Sequence, residues 1–499
     1  MRRNVSVNIL LTFFFTTLGI AVMGYHPGLE DDGIYLTAVI KRLNPALYPH
    51  DADFFRFQLQ ASFFDNWIAG FVRWTGISVP ATELLWQFAS IALIVYGCWT
   101  IARKLFPETR AQWAGVALVT AMFTLPVTGT GLYMVDQHLH PRTMATAFIL
   151  LAVARVLANR KAQAALLLLL AFLLHPIMAA MGISFCVFLA MAMQEPAFGW
   201  LRRWHQAGRG ARFGFGAVAF VPLGWAFEPP NPIWREAIQM HNSLCLYHWA
   251  WYEWLGAVAP LLLFWLLWRF AQKQGERLLA RFALAVFAYG VFQLALAMIL
   301  LAIPAFIRVA PMQPMRFLHL VYFFMTLMGG CLLGKYLLKS SVWRWAVFLA
   351  AINGGMFLSQ WMLFDNSEHL EFSGRSTANP WLQAFDWIRL NTPTDAYFAL
   401  DPEYMAAPGE DYHSFRALAE RSMMADNIKD PAMVAQVPEL APVWARQVAA
   451  AKGWSRFQLA DFERLKTEFG VSWVVVSYPQ PQGLDCRWHN ASLAVCQIQ

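Results

Sequence analysis

Charged side chains are scarce in this chain, in which Asp, Glu, Lys and Arg make up only 14% of the 499 residues. An ordinary soluble domain carries about 25%, so the composition excludes a large water-soluble protein. Hydrophobic residues reach 58%, with 23 Trp and 40 Phe. Aromatic rings are enriched where proteins meet lipid headgroups. The composition therefore indicates an α-helical polytopic membrane protein.

Cysteine is also sparse, and the six cysteines are too scattered for a zinc site or a disulfide framework. Cys98, Cys186 and Cys331 fall inside apolar runs, which favours inert core positions. Cys486 and Cys496 flank a predicted hairpin near the C-terminus. A disulfide between these two is plausible if that region lies outside the cytoplasm.

Several functional signatures are missing as well. The loops predicted to be cytoplasmic contain no nucleotide-binding glycine motif, and the apolar runs are almost empty of ionisable residues away from their ends. Pumps and ion-coupled carriers place such groups near the membrane midplane, so their absence counts against transport of that kind. The net charge of +7 comes from short basic clusters between apolar runs, which is a pattern of membrane topology and not of nucleic-acid binding.

The apolar runs predict about eleven transmembrane helices, although several are short for a span of roughly 20 residues. The first run lacks a clear cleavage site, which favours a retained anchor over a signal peptide. His175-Pro176 is interpreted as a tight turn between two spans. The predicted spans are 8–24, 83–101, 112–128, 142–158, 162–175, 177–193, 213–227, 253–268, 282–303, 315–334 and 343–363.

Basic residues indicate the orientation of these spans. With a cytoplasmic N-terminus, the inside loops hold clusters such as Arg202-Arg203 and Lys335 with Lys339, while the outside loops hold mostly single basic residues. The C-terminus is then outside. Residues 1–365 form the predicted transmembrane domain, with a first outside loop over 25–80. Residues 366–499 form a predicted small α/β domain, with helices over 380–391 and 458–469 and strands over 396–400, 471–477 and 493–498.

The first outside loop begins with three consecutive carboxylates, Glu30, Asp31 and Asp32. They sit at the bilayer surface, where a carboxylate can bind a metal or take a proton beside a lipid-borne substrate. The alternative is a solvated triplet in which Asp31 or Asp32 caps a helix predicted over 33–43. The aromatic stretch 54–74 suits helices in the membrane interface, and Asp51 and Asp53 precede it.

The second outside loop alternates Asp136, His138 and His140 before Arg142. In an extended segment, the first three side chains would point to one side. They are candidate ligands for a divalent metal such as Mn, Mg or Zn, and Arg142 can grip a phosphate. The alternative is a polar turn whose histidines hydrogen-bond to backbone. Pro141 is expected to start the next helix.

With these motifs, the chain resembles the GT-C superfamily of membrane glycosyltransferases, which includes oligosaccharyltransferases, and more closely an uncharacterised bacterial family within it. In that superfamily an Asp directly after the first span is catalytic, which Asp31 or Asp32 matches. Some members carry a metal-binding acidic motif between the third and fourth spans, where this chain has Asp136-Gln137-His138; the histidine departs from the usual second carboxylate. Residues 387–396 and 415–421 resemble segments of the outer domain.

The resemblance implies an inverting glycosyltransferase of the bacterial inner membrane, with a cytoplasmic N-terminus and a periplasmic C-terminal domain. Nucleotide sugars stay in the cytoplasm, so the donor would be a polyprenyl-phosphate-linked sugar and the acceptor a glycan, lipid or protein. Asp31 or Asp32 would act as general base. Arg142, Arg308 or Arg316, or a metal held by Asp136, His138 and His140, would neutralise the leaving phosphate.

Two other functions remain open from the sequence. A flippase or exporter of lipid-linked glycans would explain the spans and basic loops equally well. It would not explain acidic clusters confined to the outside loops, or a folded tail. An inactive scaffold of an envelope-assembly complex is kept open by the unusual Asp-x-His motif.

Overall fold

The computed structural model describes residues 2–194, 231–372, 374 and 377–499. Long helices dominate its N-terminal three quarters. The helices of the bundle and its connections are α1 (Arg2–Met23), α2 (Tyr35–Leu43), α3 (Asp53–Ala61), α4 (Phe64–Thr75), α5 (Val79–Leu105), α6 (Thr109–Ala121), α7 (Pro141–Leu157), α8 (Lys161–Leu174), α9 (Pro176–Ala192), α10 (Pro232–Gln239), α11 (Trp251–Lys273), α12 (Arg277–Ala302), α13 (Phe317–Leu332) and α14 (Val342–Leu363).

Every predicted span other than 213–227 overlaps one of these helices, and 213–227 lies outside the described residues. The span predicted over 112–128 is too long, because α6 ends at Ala121 and Pro126–Val127 forms a short strand. Among the described residues, six helical segments are long and apolar enough to cross a membrane. The helices α6, α7, α8 and α9 are shorter, with 13 to 17 residues. The expectation of a multi-pass, α-helical membrane protein is confirmed.

The chain reverses direction at His175, as the sequence predicts. The His175 ring lies 6.3 Å from that of His140, at the start of α7. A Cβ added to Gly182 on α9 would lie 2.7 Å from Ile149, halfway along α7. Both α8 and α9 therefore run alongside α7, in opposite directions, and Pro176 provides the first residue of the second helix.

At the end of the bundle away from His175, Lys335 joins two connections, with its Nζ 2.5 Å from Glu276 and 3.8 Å from Glu108. The opposite end carries the first loop (residues 24–78) and the C-terminal domain. In that loop α2, α3 and α4 lie where short interfacial helices are expected. Trp74 and Phe63 are 84% and 49% exposed, as suits side chains that face lipid headgroups.

The C-terminal domain is a five-stranded sheet with helices on both faces, which confirms the expected small α/β domain. Its strands are β3 (Tyr397–Ala399), β4 (Ser422–Met423), β5 (Trp473–Ser477), β6 (Asp485–His489) and β7 (Leu493–Gln497); β1 (Pro126–Val127) and β2 (Leu132–Tyr133) form a small hairpin in the bundle. The strand order in the sheet is β4-β3-β5-β7-β6. Strand β3 pairs parallel with β4 and β5, and β7 pairs antiparallel with β5 and β6. The helices are α15 (Pro380–Asn391), α16 (Phe415–Ala419), α17 (Asp430–Gln436), α18 (Ala441–Ala450) and α19 (Leu459–Phe469).

The two faces of this sheet are covered by different helices. Phe385 and Ile388 of α15 pack on Phe398 and Trp473, while Phe462 and Leu465 of α19 belong to the cluster that covers the other face. Cys486 and Cys496 sit opposite one another on β6 and β7 and form a disulfide. The free cysteines of the described chain are all buried.

Candidate functional site

A network of backbone hydrogen bonds fixes the first loop where it leaves α1. Tyr25 and His26 pair with the backbone of His369 and Gln137 at 3.0 and 2.9 Å, and Glu30 donates its N–H to the Tyr412 carbonyl at 2.8 Å. Glu30 itself has a φ of 46°, a left-handed conformation uncommon for a residue with a side chain. The carboxylates that follow are therefore held in place by both the bundle and the C-terminal domain.

Asp31 lies at the centre of this arrangement and is 28% exposed. Its Oδ1 accepts from Lys429 Nζ at 3.2 Å, and its Oδ2 lies 3.3 Å from His140 Nε2 and 3.9 Å from the Arg142 guanidinium. Burial alone would raise the pKa of Asp31, but Lys429 and His140 outweigh it and hold that pKa well below its usual range. Asp31 is therefore an ionised carboxylate with three donors around it.

His140 has a defined tautomer in this arrangement. Its Nδ1 accepts the backbone N–H of Arg142 at 2.9 Å, so the proton of the neutral ring is on Nε2 and points at Asp31. Burial, followed by the nearby Arg142, lowers the pKa of His140, which keeps the ring neutral. His140 thus orients Asp31 as a hydrogen-bond donor and has no free nitrogen with which to take a proton.

Asp32 has a different environment from its neighbour and is only 1% exposed. It accepts the Gly28 N–H at 2.8 Å and, with Glu83 at the start of α5, lines a space of only about 10 Å³. Burial, together with the Glu83 charge, raises the pKa of Asp32 well above its usual range. Asp32 therefore fixes the loop instead of facing a cavity of substrate size.

The helix cap that the sequence offered as an alternative role is not observed: neither Asp31 nor Asp32 caps α2. The residue before that helix is Ile34, and no side chain accepts a hydrogen bond from its first turn. The 3₁₀ turn over Glu30–Gly33 precedes it directly and leaves no extended residue from which an Asp side chain could reach the helix N-terminus.

Asp136 is occupied by its own loop. Arg142 approaches both carboxylate oxygens, one of them at 3.2 Å, and the Thr143 hydroxyl donates at 3.0 Å. A bidentate guanidinium pair of this kind is among the stronger polar contacts in proteins. Burial opposes it, but Arg142 and His140 hold the pKa of Asp136 below its usual range.

The expected metal ligands do not form a ligand set in this arrangement. Asp136 is paired with Arg142, and both nitrogens of His140 have partners. Only His138 is available: neither of its ring nitrogens has a hydrogen-bond partner, and burial lowers its pKa to about 3. In the parts of the chain that the structure covers, no three His, Cys, Asp or Glu side chains are grouped as a metal site. The metal stays a prediction without geometric support, and Asp136 and His140 instead position Arg142 and Asp31.

The three arginines expected to bind phosphate lie in different places. Arg142 is engaged by Asp136. Arg308 lies over the Trp234 ring at 5.6 Å, away from the residues that line the cavity beside Asp31. Arg316 lines that cavity, and its Nη1 is 3.4 Å from His175 Nε2. Arg316 alone keeps the expected position facing a space large enough for a substrate.

That cavity has a volume of about 640 Å³ and lies beside Asp31. One side is polar, with Glu30, Asp31, Lys429 and Arg316 among its lining residues. Another part of its wall is apolar and includes Phe57, Ala61, Leu174, Ile177 and Met312. Phe57 and Met312 are 41% and 47% exposed, so this apolar wall is accessible to a ligand.

A second, smaller cavity of about 90 Å³ adjoins Asp31. His138, Tyr133, Arg142 and Tyr412 are among the residues that line it. Glu30 and Asp31 line both cavities. Asp31 therefore borders both the large amphipathic cavity and a smaller one with several polar lining residues.

Sequence reasoning missed Lys429 and Glu83. Lys429 lies 398 positions from Asp31, and no local pattern in its segment marks it as a site residue. Glu83 opens an apolar span and reads as a residue at its end. In the structure Glu83 is only 3% exposed, and a buried carboxyl group needs a partner. The signal in the sequence is therefore a single carboxyl residue at the start of an apolar run.

No protein-family model matches the chain, and no curated protein matches it in sequence. Among solved structures, the chain is similar to the archaeal oligosaccharyltransferase AglB from Archaeoglobus fulgidus, described in complex with an inhibitory peptide and a dolichol-phosphate. The identity is 12%, the TM-score is 0.46, and the match covers 94% of this chain and 69% of the other. Oligosaccharyltransferases are one of the groups in the superfamily that the sequence resembles.

Proposed function

We propose that the protein is a membrane glycosyltransferase that moves a sugar from a polyprenyl-phosphate-linked donor to an acceptor hydroxyl beside Asp31. The observation that carries this proposal is the position of Asp31, an ionised carboxylate that lines both cavities. The larger cavity combines apolar walls with Lys429 and Arg316, the chemistry needed to hold a prenyl chain and its phosphate. The smaller cavity admits a polar group beside the same carboxylate.

The proposed step exchanges one bond for another at the anomeric carbon. The acceptor hydroxyl oxygen attacks that carbon opposite the phosphate, so the configuration is inverted. The bond between the anomeric carbon and the phosphate oxygen breaks, and the prenyl phosphate leaves with the bonding electrons. Asp31 orients the hydroxyl and accepts its proton as the new bond forms. Arg316 and Lys429 stabilise the charge that develops on the leaving phosphate.

The buried residues around Asp31 support this role without contacting the substrate. His140 donates to Asp31, Asp136 holds Arg142 beside it, and the Asp32–Glu83 pair fixes the loop. A group held by several rigid partners meets the geometric demands of catalysis better than one on a mobile loop. No step is assigned to a metal, because two of the three expected ligands, Asp136 and His140, are engaged elsewhere.

We place the site on the periplasmic face of a bacterial inner membrane. The basic clusters of the loops at the other end of the bundle support a cytoplasmic location for that end. The Cys486–Cys496 disulfide fits an oxidising compartment for the C-terminal domain. The acceptor is then a glycan, lipid or protein outside the cytoplasm.

The test compares a deletion strain rescued with wild type against one rescued with Asp31→Ala at equal protein level in the membrane. Mass spectrometry follows polyprenyl-linked sugars and envelope glycans. The proposal expects a lipid-linked sugar to accumulate with Asp31→Ala and one sugar to disappear from an acceptor. Identical profiles in the two rescued strains would contradict it. They would favour an exporter if the unrescued deletion strain accumulates the lipid-linked sugar, and a scaffold if it does not.

A further inference from the structure

Lys429 is a cation whose backbone is fixed while its side chain ends in the substrate cavity. It directly precedes α17, whose first residue Asp430 is bound by Arg416 through two bonds of 2.8 and 3.0 Å. The Lys429 Nζ is 2.9 Å from Glu30 Oε2 and 3.2 Å from Asp31 Oδ1, and the side chain is 17% exposed. Lys429 thus reaches across both carboxylates from the C-terminal domain.

This ion pair conflicts with the step proposed above. With Lys429 on Oδ1 and His140 on Oδ2, both oxygens of Asp31 are occupied, and the carboxylate is a poor proton acceptor. An anionic phosphate in the same cavity would also face Glu30 and Asp31. A lysine side chain has a flexible four-carbon stem, so its ammonium can turn to a phosphate without movement of the backbone.

We infer that Lys429 is a donor-sensing positioning residue: the phosphate of the bound donor draws the ammonium away from Asp31 and so frees Oδ1 for the acceptor hydroxyl. Lys429 keeps its proton throughout and exchanges one anionic partner for another. Without donor, Asp31 stays capped and does not engage a hydroxyl. This inference rests on the proposed function, because it requires a lipid phosphate in the larger cavity.

Glu30 competes with the phosphate for the same lysine. Its carboxylate is the nearer partner at 2.9 Å, and its left-handed backbone, with a φ of 46°, keeps it there. Removing the Glu30 charge should therefore release Lys429 to the phosphate. Removing the charge of Glu30 should therefore strengthen phosphate binding, while removing the charge of Lys429 should weaken it. A purely structural role for Lys429 would not produce these opposite effects.

The experiment measures lipid binding by the purified full-length protein in nanodiscs. The probes are polyprenyl monophosphate and the uncharged polyprenol. The measured quantity is the affinity for the phosphate divided by the affinity for the polyprenol. Lys429→Met should reduce this ratio about tenfold, the effect of losing about 1.4 kcal/mol. Lys429→Arg should retain most of the ratio. Glu30→Gln should raise the ratio about threefold, which corresponds to a gain of roughly half that energy. The control variant Lys452→Met, at an exposed lysine of the same domain, should leave the ratio unchanged.

An unchanged ratio in Lys429→Met would overturn the inference, whatever the transfer activity. If Lys429→Met does not fold, Glu30→Gln decides, and an equal or lower ratio in that variant overturns the inference. If no lipid phosphate enters this cavity, wild type itself shows no preference for the phosphate, and the proposed donor fails instead of this inference. If wild type shows the preference but the transfer assay of Asp31→Ala is normal, the proposed transferase function fails while the inference on Lys429 as a phosphate ligand is tested separately. Once the sugar is identified, Lys429→Met should raise the donor KM more than it lowers kcat, and Lys429→Arg should restore both.

Discussion

Two clusters of carboxylates and cations join the first loop to the C-terminal domain, and they differ in their access to solvent. In the sealed cluster, Arg416 binds Asp51 at 2.6 Å and Asp430 at 2.8 Å, and these three side chains are 1 to 4% exposed. In the open cluster, Lys429 and Asp31 are 17% and 28% exposed and line a cavity. Lys429 and Asp430 are neighbours in sequence, yet each belongs to a different cluster.

The difference separates structural ion pairs from a chemical site. A buried pair costs desolvation and is retained where its geometry is complete, as with the two bonds from Arg416 to Asp430. The open cluster has longer contacts to Asp31, between 3.2 and 3.9 Å, and space beside it. The sealed cluster holds the backbone of the segment from which Lys429 reaches the open one.

The largest expected effect is on catalysis, from Asp31→Asn. The change removes the charge that orients the acceptor and takes its proton, so the transfer rate should fall by about 10²- to 10⁴-fold. The loss of unfolding free energy should stay below about 2 kcal/mol, since Lys429 keeps Glu30 as a partner. Rates and thermal unfolding of the same purified sample check both values. A variant within about threefold of wild type would remove Asp31 from the proposed mechanism.

The next effect is on stability, from Arg416→Met in the sealed cluster. The substitution leaves Asp51 and Asp430 buried without their cation, which should lower the free energy of unfolding by about 3–5 kcal/mol. Activity per folded molecule should change far less than in Asp31→Asn. Thermal unfolding gives the first quantity, and the transfer rate divided by the amount of folded protein gives the second. The matched control is Arg456→Met, at an exposed arginine of the same domain, and the stability of this variant should equal that of wild type.

A smaller effect distinguishes Asp32 from Asp31 through pH. Because the folded pKa of Asp32 is raised, the folded state holds a proton that the unfolded state releases above about pH 4. Wild-type stability should therefore fall as pH rises from about 4 toward the folded pKa, and Asp32→Asn should remove this part of the fall. Thermal unfolding from about pH 5 to 8 measures the difference. Stability curves of wild type and Asp32→Asn that run in parallel over this range would mean that Asp32 is ionised in the folded state.

The smallest effect is expected at an exposed pair in the same loop, Asp53 and Arg56. Their atoms are 2.7 Å apart, but the side chains are 60% and 65% exposed. Solvent screening limits such a pair to about 0.5 kcal/mol. Asp53→Asn should therefore leave stability and transfer unchanged in the assays used for the other variants. An effect as large as that of Arg416→Met would show that burial is not what separates the clusters.

Local patterns in the sequence predict most of the helices and strands. The helix predicted over 380–391 is observed at Pro380–Asn391, and the strand predicted over 471–477 at Trp473–Ser477. The turn at His175-Pro176 and the placement of a carboxylate beside the first span also follow from the sequence. These features depend on apolar periodicity, proline and charge, which act within a few residues.

The composition of the site could be predicted only in part, because its partners are distant in sequence. Nothing near Asp136 indicates that Arg142 occupies it, so a phosphate ligand and a metal ligand were expected where one ion pair is found. Asp51, which precedes the aromatic stretch predicted for the membrane interface, is buried and bound by Arg416, which lies 365 positions away in the sequence. Which of two adjacent aspartates faces a cavity depends on tertiary packing, which binary patterns do not encode.

The most direct test of the central claim measures the pool of polyprenyl-linked sugar by mass spectrometry in cells that carry Asp31→Asn or Asp32→Asn at equal membrane protein levels. The account predicts that the lipid-linked donor accumulates and a sugar is lost from its acceptor with Asp31→Asn, while the Asp32→Asn profile resembles wild type. Equal profiles in the two variants, or accumulation with Asp32→Asn alone, would contradict it.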